Sequence, residues 1–203
     1  MKKTLVAGLA LALSLLAGSA FAEQAYQKDI QLFSQQDIVI TNSVVNNGAT
    51  MTINDAAKDL GALVEVRYVH KVPDDKDSEI IMTHAFYTQG ELWMRGEVAP
   101  DQVAPVERMV TKRTDVTTSK GLAVGDSFEK LIELYGEPQF IHWNRLNQDD
   151  SLEVDRWFVY QCQEPYEKGT PKAERPEVTK LLIGIKGLEV TRVGYSGMWR
   201  LGL

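Results

Sequence analysis

Two stretches of the chain carry apolar residues at the spacing of a short amphipathic helix. In SKGLAVGDSFEKLIELYGEP, residues 119–138, Phe128, Leu131, Ile132 and Tyr135 recur at i, i+3, i+4 and i+7 and form one stripe. Asp126 or Ser127 is placed to accept from the free N–H groups at the helix start. Gly136 supplies a left-handed residue to end the helix, and Pro138 forbids a further turn. Ile53, Ala56, Ala57 and Leu60, followed by Gly61, show the same spacing earlier in the chain. The pattern predicts helices over 52–60 and 127–135.

Elsewhere the period falls to two, the signature of strands. After the first helix it predicts strands over 63–72, 80–88, 92–97 and 106–115. After the second it predicts strands over 139–145, 153–162, 179–186 and 189–197. Residues 23–36 read as an extended leader that ends in a strand at 37–40. A shift of 75 positions lays Gly61 on Gly136, Val66 on Ile141, Tyr68 on Trp143 and Asp74-Asp75 on Asp149-Asp150. Later blocks align at other offsets, as loop insertions in a duplicated chain require. The expectation is an α+β fold of two tandem repeats, each a short helix followed by a four-stranded antiparallel sheet, with the helices packed on one face. Its segments are a leader at 23–49, a first repeat at 50–117 and a second at 118–203.

Strand alternation then assigns side chains to faces. With Val66, Tyr68, Ile141 and Trp143 turned to the helices, Arg67 and His142 point the other way. With Leu92, Met94, Ile183 and Ile185 turned inward, Trp93, Arg95 and Lys186 point outward, and Tyr87, Tyr160, Arg108 and Arg192 join that outer face. Arg, Tyr and Trp are the residue types that dominate protein interfaces. Arg67, Tyr87, Trp93, Arg95, Arg108, His142, Tyr160 and Arg192 are therefore the candidate partner-binding residues.

The first 22 residues change the destination of the chain. Lys2 and Lys3, an apolar run over 5–16 and the small-x-small triplet Ala20-Phe21-Ala22 read as an export signal cleaved between Ala22 and Glu23, for a periplasmic or secreted protein. The apolar run is too short to span a bilayer, and no later stretch reaches the roughly 20 residues a membrane helix needs. A lipid anchor requires a cysteine at the cleavage site, and the single cysteine is Cys162. In the strand-like run WFVYQC it reads as a buried thiol, with an intermolecular disulfide as the alternative. The net charge of −6 becomes −8 without Lys2 and Lys3, which argues against nucleic acid and anionic lipid as partners.

Signatures of chemistry are sparse. Nucleophilic catalysis needs an activated Ser or Cys beside a base, and no G-x-S-x-G elbow occurs; Ser127 is explained by helix-start chemistry. His70, His84 and His142 stand singly, without metal-ligand spacing. The acidic turns PDDKDSE and NQDDSLEVD lack the Ca²⁺-loop pattern and read as solvated hairpin tips. The expectation is a protein that is not an enzyme and carries no cofactor or metal. A polar loop around Pro165, Pro171 and Pro176 is a candidate contact element.

The segment GLAVGDSFEKLIELYGEP, followed by aromatic strands and KLLIGIKGLEVTRVGYSG, resembles a helix-plus-sheet module. That module is shared by the β-lactamase inhibitory proteins, the small lipoprotein of the outer-membrane β-barrel assembly machinery and other exported bacterial proteins. The resemblance covers 50–198 and implies a curved sheet with helices behind it. The chain departs from the lipoprotein by lacking a lipidated cysteine, and from the inhibitory proteins by lacking paired cysteines. The expected function is an exported, non-enzymatic module that engages a polypeptide partner in the cell envelope through the outer face of its sheet. The alternative is an exported small-ligand-binding or enzymatic domain with a pocket near His142.

Overall fold

Hairpins with tight turns and two short capped helices order the chain, shown here in a computed structural model that describes residues 35–43, 45, 48–71, 80–143, 154–162 and 178–197. In chain order the elements are β1 (Ile40–Thr41), β2 (Thr50–Met51), α1 (Ile53–Leu60), β3 (Leu63–Lys71), β4 (Ile80–Tyr87), β5 (Gly90–Arg95) and β6 (Ala104–Thr111). They continue with β7 (Thr117–Thr118), α2 (Phe128–Tyr135), β8 (Phe140–Trp143), β9 (Arg156–Cys162), β10 (Thr179–Lys186) and β11 (Glu189–Ser196). All of them belong to one compact unit, Leu32–Leu203.

The strands form an antiparallel sheet in the order β3-β4-β5-β6-β11-β10-β9-β8, with β2 added beside β6. This corrects the expected α+β fold of two tandem repeats, each with its own four-stranded sheet. The described residues are mostly β, 51% strand against 15% helical, and their only two α-helices serve one large sheet. The physical reason lies in the strand edges. A sheet that stopped at β6 would leave a row of N–H and C=O groups without partners. Instead β6 and β11 pair, from Thr111↔Val193 to Arg108↔Ser196, so the sheet runs on. The two helices are each eight residues long and cover only part of what the strands bury.

Both helices begin and end as their sequences require, with one refinement. Thr52 and Ser127 are the N-caps, and their hydroxyls accept from the N–H groups of Asp55 and Lys130. Gly61 and Gly136 cap the other ends, donating to the carbonyls of Ala57 and Ile132. Their φ values of 84° and 68° are paired with ψ values of −167° and −158°, so neither is a left-handed helical residue. This region of backbone space is essentially closed to residues with a Cβ, a stricter demand for glycine than the expected cap.

The main core fills the space between these helices and the sheet. Ile53, Ala56 and Leu60 of α1 and Leu131 and Tyr135 of α2 meet Leu92, Met94, Met109, Ile183, Ile185, Val193 and Tyr195 of the strands. The leader differs from expectation: residues Gln35–Ile38 form a 3-10 turn, and the strand β1 starts only at Ile40 and pairs with β7. Asp59 of α1 fastens this segment, accepting from the Ser43 hydroxyl at 2.5 Å and the Val45 N–H at 3.2 Å while it pairs with Arg113. Cys162 is fully buried, and burial, with Asp37 nearby, pushes its thiol up to about 12.

The segments read as an export signal at 1–22, most of a leader, the acidic turn at 73–79, most of the acidic turn at 147–155 and a polar loop with Pro165, Pro171 and Pro176 lie outside the described residues. Among the described residues no helix is long and apolar enough to cross a membrane.

Candidate functional site

The sheet face turned away from the helices carries the candidate site, and strand register decides which side chains meet there. The turn at Thr88 and Gln89 joins β4 to β5 and pairs Tyr87 with Gly90. Phe86 then lies opposite Glu91, and His84 opposite Trp93. On the next strands, Arg67 of β3 lies opposite His84 and Arg108 of β6 opposite Trp93. Arg67, His84, Trp93 and Arg108 thus form one row across four strands.

Glu91 ties this row together. One carboxylate oxygen accepts from His84 Nε2 at 2.8 Å, and the other accepts from Arg108 Nη2 at 3.2 Å. Burial by itself pushes the Glu91 carboxyl up. The Arg108 guanidinium, the His84 hydrogen bond and the charge of Arg192 outweigh burial and hold the group below the ordinary carboxylate range. An ionised carboxylate can only accept, which puts the donated proton on Nε2 of His84. The His84 ring is held on both sides, stacked on Trp93 with centroids 3.8 Å apart and tilted against Phe86 at 3.8 Å.

Cations over aromatic faces extend the network at both ends. The Arg67 guanidinium sits 4.7 Å from the Phe86 ring centre, and the Arg108 guanidinium 5.7 Å from that of Trp157. The Trp157 indole passes close over Gly184, where a Cβ would come within 3.2 Å of its Cζ3 atom. Beyond it lies an apolar group of Val110, Val154, Val159 and Leu182 with Phe140 against it.

The eight residues expected on this face divide three ways. Arg67 and Arg95 are exposed there, paired with Glu65 at 2.7 Å and Glu107 at 3.2 Å, and His142 and Arg192 are half-buried. Trp93 and Arg108 belong to the outer side but are buried within the network. Tyr87 and Tyr160 are corrections: both are buried in the main core, on the opposite face. Tyr87 shares the face of Ala85 and Leu92 and donates to the Ile53 carbonyl at 2.8 Å. Tyr160 shares the face of Phe158 and donates to the Gly136 carbonyl at 3.0 Å. Ile141 and Tyr68, expected to face the helices, are about half exposed.

His84, Glu91, Phe86 and Trp157 were not among the expected site residues. The signal for the first three is the two-residue turn at Thr88-Gln89, which sets Phe86 opposite Glu91 and His84 opposite Trp93. His142 stacks with Phe140 at 6.3 Å, and burial, reinforced by Lys180, holds its pKa below the usual imidazole value. A shallow cavity of about 290 Å³ lined by Lys112, Val124, Lys186, Glu189, Thr191 and Arg192 does not include it. Among the described residues no three His, Cys, Asp or Glu side chains are grouped to hold a metal ion.

The arrangement is suited to presenting fixed charged and aromatic groups. Both Glu91 oxygens are engaged and the His84 ring is clamped between two others, so these polar groups are held in fixed positions. Comparison of the chain with protein families, curated proteins and solved structures finds no match in any of the three.

Proposed function

We propose that the outer sheet face binds a polypeptide partner in the cell envelope, and that the protein is exported and acts without catalysing a reaction. The observation that carries this reading is the row from Arg67 through His84 and Trp93 to Arg108, locked by Glu91 and bordered by the exposed guanidinium of Arg95. Trp93 and Arg108 are buried and act as the fixed base of this face, while Arg67 and Arg95 stand exposed on it. Arg is over-represented among residues that dominate binding energy, and prior immobilisation lowers the entropic cost of association. The resemblance of the GDSFEKLIELYG segment to exported binding modules supports the same class of function. The polar character of the N-terminal Lys2-Lys3 start, its apolar run and Ala20-Phe21-Ala22 support export.

The test replaces Arg67, Arg95 and Arg192 together by alanine. None of the three is buried, so the thermal transition should stay within a few degrees of the unaltered protein. Capture of a partner from envelope extract by the immobilised protein should be lost. Undiminished capture by the folded triple variant would overturn the proposal.

A further inference from the structure

The strand β3 ends the sheet. Among the described residues it pairs with β4 alone, so its other edge has no strand beside it. It is nine residues long, and it carries two exposed large apolar side chains, Val64 at 67% and Tyr68 at 48%. The bulge between Leu63 and Glu65 leaves Val64 without a counterpart on β4. A long edge with exposed apolar groups is a template for another strand. Two of its charges, Glu65 and Arg67, are exposed and lie on one side of the strand, and a third, Lys71, ends it.

The geometry points to a second copy of this chain as the occupant, with two β3 strands pairing antiparallel about Val66. In that register Glu65 of one copy lies opposite Arg67 of the other, twice over, and Val64 lies opposite Tyr68, also twice. The existing Glu65–Arg67 pairs within each strand become the sides of a square of alternating charge. The sequence selects this register against its neighbours: an axis at Arg67 would place Arg67 opposite itself, and an axis at Glu65 would place Glu65 opposite itself. Like charges directly opposite are destabilising in a sheet. The pairing is isologous and closes as a dimer, joining two sheets edge to edge. It leaves His84, Glu91, Trp93, Arg95 and Arg192 outside the seam and shares only Arg67 with the row proposed to bind a partner, so Glu65→Arg tests the dimer without touching that row.

Charge exchange tests the register directly. Sedimentation equilibrium of the purified protein should show a monomer–dimer equilibrium. Glu65→Arg alone and Arg67→Glu alone should each raise the dissociation constant by about tenfold or more, because each sets like charges face to face. The double variant, Glu65→Arg with Arg67→Glu, should recover dimerisation, which a loss of folding or a different interface would not produce. Tyr68→Ala should weaken the dimer without altering the thermal transition. A protein that stays monomeric up to about 100 μM, single variants that dimerise as well as the unaltered protein, or a double variant that does not recover would each overturn the proposal. So would an open series of larger oligomers, the mark of β3 pairing with the opposite edge strand β8.

Discussion

Replacing Glu91 by glutamine would leave Arg108, only 4% exposed, without its counter-charge, and would weaken the contact that holds His84. Removing one partner of a buried pair is costly because the other charge stays buried, and the expected loss at neutral pH is about 3 kcal/mol. The pH dependence has a definite sign. The folded protein holds the Glu91 carboxyl below its ordinary range, so its contribution is complete above that range and is lost as pH falls through the depressed value. Urea unfolding from about pH 7 down to about pH 3 should therefore show the Glu91→Gln deficit shrinking with acidification. A deficit constant across that interval would assign the effect to packing.

At this same scale, two tyrosines show what could be read in advance. Tyr87 lies just before the two-residue turn at Thr88-Gln89, and counting back through that turn places it beside Leu92, in the core. The information was local and sufficient. Tyr160 is different, because its face follows from pairing with Leu181 across a long connection between β9 and β10. No short-range pattern sets a register across such a distance.

For the elements, the most demanding positions are the glycines after each helix. Gly61→Ala and Gly136→Ala both force a Cβ into a backbone region that costs of order 1–3 kcal/mol. At Gly136 the new methyl meets open space, whereas at Gly61 it would lie 2.3 Å from the Thr88 hydroxyl and 3.2 Å from Gln89 Cγ. Gly61→Ala should therefore destabilise more than Gly136→Ala, by an added ~1 kcal/mol, in parallel chemical denaturation of the two variants. Equal losses would show that backbone conformation alone sets the effect. The helices and strands were largely legible because apolar spacing, Ser and Thr caps and terminal glycines are local signals. The unusual ψ at both glycines was not, since it follows from how each helix end runs into the sheet.

Across the whole molecule the decisive contact is the pairing of β6 with β11, and Gly194 sits within it. A Cβ there would come within 2.2 Å of the Met109 carbonyl oxygen and 2.8 Å of the Val110 Cα, both backbone atoms that cannot swing aside. Gly194→Ala should cost about 3 kcal/mol. Because Ile53, Met109, Leu131 and Tyr195 share one core, the loss should move a single transition seen alike by tryptophan fluorescence and far-UV circular dichroism. Separate transitions on the two sides of that seam would contradict a shared core. The seam is also where the sequence was least informative. Helix spacing repeats along the chain, but nothing local in APVERMVT or EVTRVGYS announces that these two strands lie side by side, and so a mostly β protein with one large sheet read as two smaller units.

The enclosure of Cys162 has a practical consequence. Its sulfur lies where neither oxidants nor alkylating reagents arrive while the chain is folded, and the high proton affinity there keeps it as the unreactive thiol. A thiol probe would consequently mark only those molecules in which the end of β9 has opened, and its rate of incorporation becomes a clock for the parting of Cys162 from Thr179 at that strand end.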